Sequence, residues 1–352
     1  MRPLQIDSHP LGAGAPAFIV AEIGVNHDGS LAQALQLVRE ARKAGADAVK
    51  FQLFSAERLM HAEESRFAQY QSERAGPAES PRHMLRRYEL RPLEVAALVE
   101  SIRAAGMVPL ATPFSLPDVD TIDSLGLPAI KIASPDLVNR PLLTKAAELR
   151  VPMLVSTGAA TMDEVAQCVA WLREINAAFV LLHCVSAYPA ADEHAQLSWI
   201  GELGERFLVP VGYSDHTTNL MSGAFAVASG ACLVEKHLTY DRSAEGPDHA
   251  ASADPRQFAE YVKAIRLCER LAGRRGKRVL PIERDVRTVS RQSLVLLRDL
   301  GEGERIGESD VTIQRPGTGI PAAQITVLVG KRVRQPLRAG TLLQWDMLAD
   351  AA

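Results

Sequence analysis

Eight short apolar runs, separated by longer amphipathic stretches, constrain the fold of this chain more than any other feature. Each run is bounded by Gly, Pro or Ser and has the length of a buried parallel strand. The runs span residues 17–24, 46–52, 107–114, 129–134, 152–158, 178–186, 208–214 and 231–237. Eight strand–helix units within about 250 residues are typical of an α/β fold of the TIM (β/α)8 barrel type.

The stretches between the runs carry the signals of helices. Residues 31–45 follow Ser30 and end at Gly45, and residues 160–175 behave likewise, so both are predicted to be helical. A polar insertion at residues 55–90 breaks the alternation after the second strand. Two interpretations stay open for it: a loop with some helix over the barrel mouth, or a disordered surface segment.

The last quarter of the chain predicts a second, smaller domain. The barrel domain is expected to cover residues 1–275, and residues 276–290, which are basic and lack a strong period, indicate a linker. From residue 291 to 352 short β-like runs alternate with turn residues. This pattern predicts a small all-β domain.

Composition limits the partners and the compartment. The 352 residues carry a formal net charge of −3, which gives no reason to expect nucleic acid or an anionic membrane as partner. The first residues lack the apolar core of a signal peptide, and no apolar run is long enough to span a bilayer. The four cysteines form no Cys-x-x-Cys pair, and Cys184 and Cys232 lie in apolar runs as expected of small core residues. A reducing cytoplasm fits this chain best.

Polar side chains fall late in five of the predicted strands, in line with apolar side chains two residues away. They are Glu22, Lys50, Gln52, Lys131, His183, Glu235 and His237. In a parallel barrel the late ends of the strands form the catalytic face. A buried lysine is costly unless it meets an anion, so Lys50 and Lys131 predict a substrate that carries phosphate or carboxylate groups.

Hydroxyl groups gather at the same strand ends. They belong to Thr112, Ser134, Ser156, Thr157, Ser186 and Ser214. Together with the amides of the following helix N-termini they suit phosphate oxygens. A single serine at such a position more commonly caps a helix.

Two histidines follow or end the last two strands, where they are expected to be close in space. His216 follows the seventh run and His237 ends the eighth. Two imidazoles, completed by water and substrate oxygens, could hold a divalent metal that acts as a Lewis acid. Their spacing alone is not a self-sufficient metal motif, and His183 is interpreted as a nearby polar group rather than a ligand.

These residues lie in motifs that resemble the bacterial sialic acid synthase family, which includes N-acetylneuraminate, legionaminate and pseudaminate synthases. The motifs are AEIGVNHDGS (21–30), ADAVKFQ (46–52), ATPFS (111–115), KIASPDL (131–137), STG (156–158), LLHCVSAYPA (181–190), GYSDHT (212–217), EKHLT (235–239) and GPDHAAS (246–252). RPGTGI (315–320) and LVGKRVRQPLRAGTLL (328–343) resemble the SAF (antifreeze-like, β-clip) domain of that family.

The resemblance implies an enzyme that condenses phosphoenolpyruvate with an open-chain N-acylated mannosamine-type sugar and releases phosphate. It implies Mn²⁺ or Mg²⁺ bound by His216 and His237. The catalytic residues that it implies are Glu22, Glu235, Lys50 and Lys131. The phosphoenolpyruvate-binding residues that it implies are Lys50, Thr112, Lys131, Ser134, Ser156, Ser186 and Ser214. The sugar-binding residues that it implies are Gln52, Asp136, Tyr188, Asp248 and Arg315. Arg315 would serve the partner subunit of a homodimer with exchanged C-terminal domains.

Two positions depart from the pattern of the N-acetylneuraminate synthases. Asp136 stands where those enzymes carry Glu, and Ser186 stands where they carry Asn. VSAYPA and GPDHAAS favour the legionaminate or pseudaminate synthases, whereas GYSDHT favours the legionaminate and neuraminate side. Two other hypotheses remain: a phosphoenolpyruvate-dependent synthase that uses a phosphorylated aldose, and a non-catalytic carbohydrate-binding protein.

Overall fold

The computed structural model describes residues 4–12, 14–67, 80–273 and 276–349. Eight parallel strands close into one barrel, which confirms the predicted TIM-type fold. They follow one another around the barrel in chain order, and the last strand pairs with the first. These strands are β3 (Phe18–Glu22), β4 (Ala48–Leu53), β5 (Val108–Pro113), β6 (Ile130–Ile132), β7 (Met153–Ser156), β8 (Phe179–Cys184), β9 (Val211–Asp215) and β10 (Leu233–His237).

Helices connect successive strands. They are α1 (Leu31–Ala44), α2 (Ala56–Leu59), α3 (Pro81–Arg86), α4 (Pro92–Ala104), α5 (Leu116–Ser124), α6 (Arg140–Glu148), α7 (Met162–Glu174), α8 (Ser198–Phe207), α9 (Ser222–Ala228) and α10 (Pro255–Ala272). The Ser30 hydroxyl caps α1, and Gly45 ends it in the left-handed region at φ +88°. Thr161 and Glu164 form a capping box on α7. Both helices predicted from their caps are therefore confirmed.

Alternation along the strands separates two apolar layers. Side chains such as Val20, Leu154 and Leu233 fill the barrel interior, while Ile19, Val155 and Val234 pack beneath the helices. His183 aligns with Leu181, which belongs to the outer layer. The expectation that His183 lines the mouth is wrong: its Nε2 lies 2.7 Å from Ala195 O, and its ring stacks on Tyr213.

A short antiparallel hairpin packs at the amino end of the barrel. Its strands are β1 (Leu4–Ile6) and β2 (His9–Leu11). Ile6 and Leu11 join the interior cluster that contains Phe18 and Val108, the first residues of β3 and β5. The hairpin therefore helps to bury the end of the barrel opposite the predicted catalytic face.

The described flanks of the polar insertion are partly helical and pack at the barrel mouth. They contain α2 and α3, which are linked by ion pairs from Glu57 to Arg82 and Arg86. Met84 and Tyr88 pack against Val25, which follows β3 at its carboxyl end. Residues 68–79 of the predicted insertion lie outside the described residues.

The chain divides into two compact units, Met1–Arg274 and Arg275–Ala352. The basic segment predicted to be a linker contains helix α11 (Arg284–Ser290). The smaller unit then forms strands β11 (Ser293–Leu296), β12 (Val311–Gln314), β13 (Arg332–Val333) and β14 (Leu348–Ala349). Helix α12 (Ile325–Leu328) lies between β12 and β13. Leu294, Ile306, Leu328 and Leu343 belong to its own apolar core.

Within the ranges that the structure describes, no helix combines the length and the apolar composition that crossing a bilayer requires.

Candidate active site

Four buried charged side chains meet inside the barrel at the carboxyl ends of β3, β4, β6 and β10. Lys50 Nζ lies 2.7 Å from Glu22 Oε2 and 3.2 Å from Glu235 Oε2. Lys131 Nζ lies 3.8 Å from Glu235 Oε1. All four side chains are 5% exposed or less. The structure thus brings together the two lysines and two glutamates that the sequence predicted to be catalytic.

The two glutamates differ in pKa although both are buried. Burial raises the pKa of Glu22 to about 7, because Lys50 offsets only part of the desolvation. Burial acts in the same direction on Glu235, but Lys131, Lys50 and a hydrogen bond from Ser214 outweigh it and lower the pKa to about 2. Near neutral pH Glu22 can therefore exchange a proton, while Glu235 stays a carboxylate.

The two lysines also differ. Burial lowers the pKa of Lys131. Burial opposes the charge of Lys50 as well, but the carboxylates of Glu22 and Glu235 outweigh it and raise the pKa of Lys50. Lys131 has only one carboxylate within 4 Å among the described residues, so it has the greater capacity to receive an anionic substrate.

Hydroxyl groups surround this cluster. Lys50 Nζ donates to Thr112 Oγ1 at 3.2 Å, and Ser214 Oγ donates to Glu235 Oε1 at 2.8 Å. The Ser156 hydroxyl is buried at the end of β7 and finds no hydrogen-bond partner in the described part of the chain. A buried polar atom without a partner is costly, which favours a role for Ser156 in ligand binding.

Gly158 leaves space for a cradle of small polar groups after β7. Its amide donates to Ser134 Oγ at 3.1 Å. A Cβ atom at this position would collide with Ser186 Oγ and would lie 2.8 Å from Ser134 Oγ and 3.0 Å from Cys184 Sγ. Two of the hydroxyls predicted to bind phosphoenolpyruvate are thus gathered around one backbone amide.

His216 and His237 lie beside each other at the ends of β9 and β10. Their ring centroids are 5.6 Å apart, and both residues are buried. His216 Nδ1 lies 2.7 Å from Val185 O, which can only accept, so Nδ1 carries a proton and Nε2 is the nitrogen that can coordinate when the ring is neutral. The Tyr188 ring lies 4.1 Å from that of His216, and Asp248 Oδ2 lies 3.9 Å from His237 Nδ1.

The histidine pair fits a divalent metal that takes part of its coordination from outside the protein. His237 Nδ1 is buried and makes no hydrogen bond to the residues described here. Burial, together with the neighbouring His216, lowers the pKa of His237, which keeps its imidazole neutral as metal binding requires. Over the described ranges no group of three or more His, Cys, Asp or Glu side chains could hold a metal. Water and substrate oxygens would have to complete the coordination.

The residues predicted to bind the sugar are less closely gathered. Gln52 Nε2 and Glu22 both approach Gly24, at the ends of neighbouring strands. Asp136 lies in the turn after β6, where burial raises its pKa and Asn139 Nδ2 donates to it at 2.9 Å. Arg315 is exposed at the end of β12 in the smaller unit.

Some features of the site escaped the sequence interpretation. Cys184 was expected to be a core residue, but it faces the site, with Sγ 3.7 Å from His216 Nδ1. Asn26 bridges two mouth loops by donating to Leu238 O and to Ser252 Oγ. The Thr157 hydroxyl, named in the sequence analysis among the strand-end hydroxyls, donates instead to Leu182 O on the neighbouring strand. Cys184 aligns with Leu182 of the inner layer, but Leu181 and Leu182 are both apolar, so the alternation alone could not show which face of β8 points inward.

Comparison with known proteins identifies the family of the chain. The model of the NeuB family matches residues 37–277, and that of the SAF domain matches residues 291–349. N,N'-diacetyllegionaminic acid synthase of Legionella pneumophila is 38% identical over 342 residues, with 96% of each chain covered. Human N-acetylneuraminate-9-phosphate synthase is 34% identical, with 94% of this chain and 93% of that protein covered.

A solved structure shows the same similarity in three dimensions. The crystal structure of N-acetylneuraminic acid synthetase from Leptospira borgpetersenii, in complex with citrate, matches with a TM-score of 0.73 and 32% identity. The match covers 81% of this chain and 95% of that one. The resemblance found in the sequence motifs is thereby confirmed: the chain belongs to the NeuB family and carries a SAF domain at its carboxyl end.

Proposed function

We propose that this protein condenses phosphoenolpyruvate with an open-chain N-acylated mannosamine-type sugar, giving a nonulosonic (sialic-type) acid and inorganic phosphate. The observation that carries the proposal is the pairing of Lys50 and Lys131 with Glu22 and Glu235 inside the barrel, beside two histidines. Such a set can bind a trianion, exchange a proton and orient water within one enclosed mouth.

Phosphoenolpyruvate would occupy the lysine side of the site. Lys50 and Lys131 would neutralise its carboxylate and phosphate, and the hydroxyls around Gly158 would donate to phosphate oxygens. A dianionic phosphate would also offset the cost of burying Lys131, which has a single nearby carboxylate among the described residues. Thr112, Ser156 and Ser214 complete the proposed set.

In the proposed reaction the two glutamates have different roles. C3 of phosphoenolpyruvate forms a bond to the sugar aldehyde carbon, water adds at C2, and the C2–O bond to phosphate breaks. Positive charge develops at C2 before water adds, and the Glu235 carboxylate would stabilise it. Glu22, with a pKa of about 7, would donate its proton to the aldehyde oxygen as the C–C bond forms and would then take a proton from the attacking water. The remaining proton of that water would leave with the phosphate as the C2 hydroxyl becomes the carbonyl.

His216 and His237 would hold Mn²⁺ or Mg²⁺ near the aldehyde. When bound, the metal supplies Lewis-acid polarisation of the aldehyde oxygen. The hydrogen bond from His216 Nδ1 to Val185 O orients the ring with its other nitrogen free to coordinate. Asp248, close to His237, and Tyr188, whose ring lies beside that of His216, would line the sugar side together with Gln52 and Asp136.

For the acceptor we propose 2,4-diacetamido-2,4,6-trideoxymannose, which would make the product N,N'-diacetyllegionaminate. The motifs VSAYPA and GPDHAAS, with Asp136 and Ser186, support this choice over N-acetylmannosamine. The similarity to the Legionella synthase over 96% of the chain points the same way. A pseudaminate precursor and an aldose phosphate are the alternative acceptors. We further propose a cytoplasmic homodimer in which Arg315 of each chain serves the sugar site of its partner.

Mass spectrometry of reaction products tests the proposal. The full-length protein is incubated with phosphoenolpyruvate, Mn²⁺ and either 2,4-diacetamido-2,4,6-trideoxymannose or N-acetylmannosamine, while phosphate release is followed. We expect phosphate and a nonulosonic acid from the first sugar and at most slow turnover of the second. Arabinose 5-phosphate and erythrose 4-phosphate serve as control acceptors. Turnover with either aldose phosphate, or phosphate release with no acceptor at all, would contradict the proposal.

A further inference from the structure

A buried ion pair lies on the outer face of β9 and β10, directly behind the histidine site. Lys236 Nζ is 3.0 Å from Asp215 Oδ2, and neither side chain is more than 1% exposed. The two residues are partners in the parallel ladder between the strands. The pair therefore fixes the position of β10 against β9 at the point where both strands reach the mouth.

The pair lies within a network of hydrogen bonds in the outer layer. Lys236 Nζ also donates to Thr217 O at 2.6 Å, just beyond the end of β9. The Asp215 carboxylate accepts further hydrogen bonds at 2.5–3.2 Å from Thr217 N, Tyr213 OH, Ser222 Oγ and Tyr261 OH. These donors come from β9, the loop after it, α9 and α10. The network ties the end of β9 to two helices and to β10.

Each member of the pair stands between two inward-facing site residues. Asp215 separates Ser214 from His216, and Lys236 separates Glu235 from His237. Because successive side chains of a strand point to opposite faces, anchoring the outward residue fixes the direction of its two inward neighbours. One pair can thus control the orientation of both histidines.

Stability alone does not require such a pair. Replacing a buried ion pair by apolar side chains of similar volume is often neutral or stabilising, because desolvation of both charges is avoided. Apolar residues fill most of the surrounding outer layer. The pair is therefore better explained by the geometry that it imposes than by a contribution to folding.

We infer that Asp215 and Lys236 are positioning residues that orient His216 and His237 for divalent metal binding. This inference rests on the histidine site of the proposed function. Neither residue touches the substrate; they act through the backbone of β9 and β10. Groups that hydrogen-bond a metal ligand directly change metal affinity by about 10–100-fold when they are removed, and a pair that acts through the backbone is expected to reach the lower end of that range.

The test compares Mn²⁺ affinity with thermal stability in four full-length proteins: unmodified, Lys236→Met, Asp215→Leu, and the double variant. Free Mn²⁺ is measured by electron paramagnetic resonance with Mn²⁺ alone, so that turnover is not needed. Each single variant leaves one buried charge unpaired, and we expect it to lose both stability and affinity. In the double variant no buried charge is unpaired, but the donors to Asp215 still lose their acceptor, so we expect stability to recover only in part while Mn²⁺ binding stays about tenfold or more weaker.

A matched control pair lies at the opposite end of the barrel. Arg266 Nη2 is 2.8 Å from Asp47 Oδ2, just before β4. Asp47→Asn and Arg266→Met should lower stability and leave Mn²⁺ affinity unchanged. Full recovery of Mn²⁺ affinity in the Asp215→Leu/Lys236→Met protein would overturn the positioning role. Absence of Mn²⁺ binding by the unmodified protein, or binding that persists in His216→Ala, would instead overturn the histidine site and the inference with it.

Discussion

At the scale of single residues, the barrel mouth holds opposite charges in contact and out of water. Lys50 bridges Glu22 and Glu235, yet the two carboxyls have pKa values of about 7 and about 2. The difference arises because Glu235 has both lysines and Ser214 around it, whereas burial dominates at Glu22. Two chemically identical side chains thus acquire the complementary protonation states that acid–base chemistry needs.

The raised pKa of Glu22 predicts a pH-dependent cost to stability. The folded protein binds a proton that the unfolded chain releases at about pH 4.5, so the contribution of Glu22 to stability should decline as pH rises from about 4.5 to about 7, by about 3 kcal/mol in total. Glu22→Gln removes this decline. Urea unfolding at a series of pH values should therefore show that the free energy of unfolding of the variant rises relative to that of the unmodified protein between about pH 4.5 and about pH 7.

The exposed Glu205→Gln substitution provides the control for that titration. Its unfolding curve should follow that of the unmodified protein at every pH. A difference between Glu22→Gln and the unmodified protein that stays constant from pH 4.5 to pH 7 would be inconsistent with the raised pKa.

The space at Gly158 leads to a second prediction. Gly158→Ala places a methyl group against Ser186 and Ser134, which displaces the hydroxyls proposed to hold phosphate. We expect the KM for phosphoenolpyruvate to rise about tenfold or more, since small displacements of binding groups are costly. Gly201→Ala in α8, where an added Cβ meets nothing within 4 Å, should leave KM unchanged and stabilise the protein by about 1 kcal/mol. Equal KM values for both variants would argue against the cradle.

At the scale of elements, the sequence was most informative where a strand is long enough to show its pattern. All eight barrel strands and the caps of α1 and α7 were predictable, because buried parallel strands and capped helices have strong local signatures. The hairpin β1–β2 was not, since strands of three residues carry no measurable period. Its burial depends on contacts with Phe18 and Val108 that only the closed barrel creates.

Assignment of strand faces was less certain than assignment of strands. His183 looked like a mouth residue because it falls late in β8, but the interior is reached by Leu182 and Cys184 instead. A polar residue at a strand end is equally compatible with either face until the register of the whole barrel is known. Glu22, Lys50 and His237 were placed correctly because apolar inner-layer residues lie two or four positions before them.

The two faces of the strands predict opposite outcomes for two histidine substitutions. His183→Phe keeps a ring on Tyr213 but loses the hydrogen bond to Ala195 O, so it should cost about 1–2 kcal/mol of stability and leave Mn²⁺-dependent turnover within about twofold. His216→Ala should reduce that turnover by at least about 100-fold, and it too should lose stability, because it removes a buried hydrogen bond to Val185 O. Phosphate release per folded protein, with thermal unfolding as the check on folding, distinguishes the two. A His183→Phe protein that folds normally but requires far more Mn²⁺ would show that His183 contributes to metal binding after all.

At the scale of the whole molecule, the chain consists of two units with separate apolar cores. The barrel unit contains every proposed site residue except Arg315, which is exposed on the smaller unit. Sequence motifs identified the SAF domain, and its short strands agree with the small all-β domain predicted from the turn pattern. The exchange of this domain between subunits is a separate proposal, because it depends on a second chain.

Complementation between inactive variants tests that exchange. Arg315→Ala and His237→Ala chains, co-expressed with different tags, should each be inactive alone. A mixed dimer with exchanged domains contains one site with both residues intact. With random pairing, about a quarter of all sites would be restored. Recovery of turnover in the doubly tagged fraction supports exchange. An inactive mixed dimer, with each tag still captured by the other, would show that Arg315 serves its own barrel.

The strict alternation of inward and outward side chains has a practical consequence for protein engineering. Along β9 and β10, inward-facing site residues alternate with outward-facing residues that hold the strands in place. Replacing a whole strand therefore changes both sets of residues at once. A strand grafted from another synthase to accept a new sugar would also bring outward-facing residues that do not match the helices of this barrel. Libraries that vary only inward positions on the sugar side, such as Gln52, respect this interleaving and offer the more direct route to a synthase with an altered sugar preference.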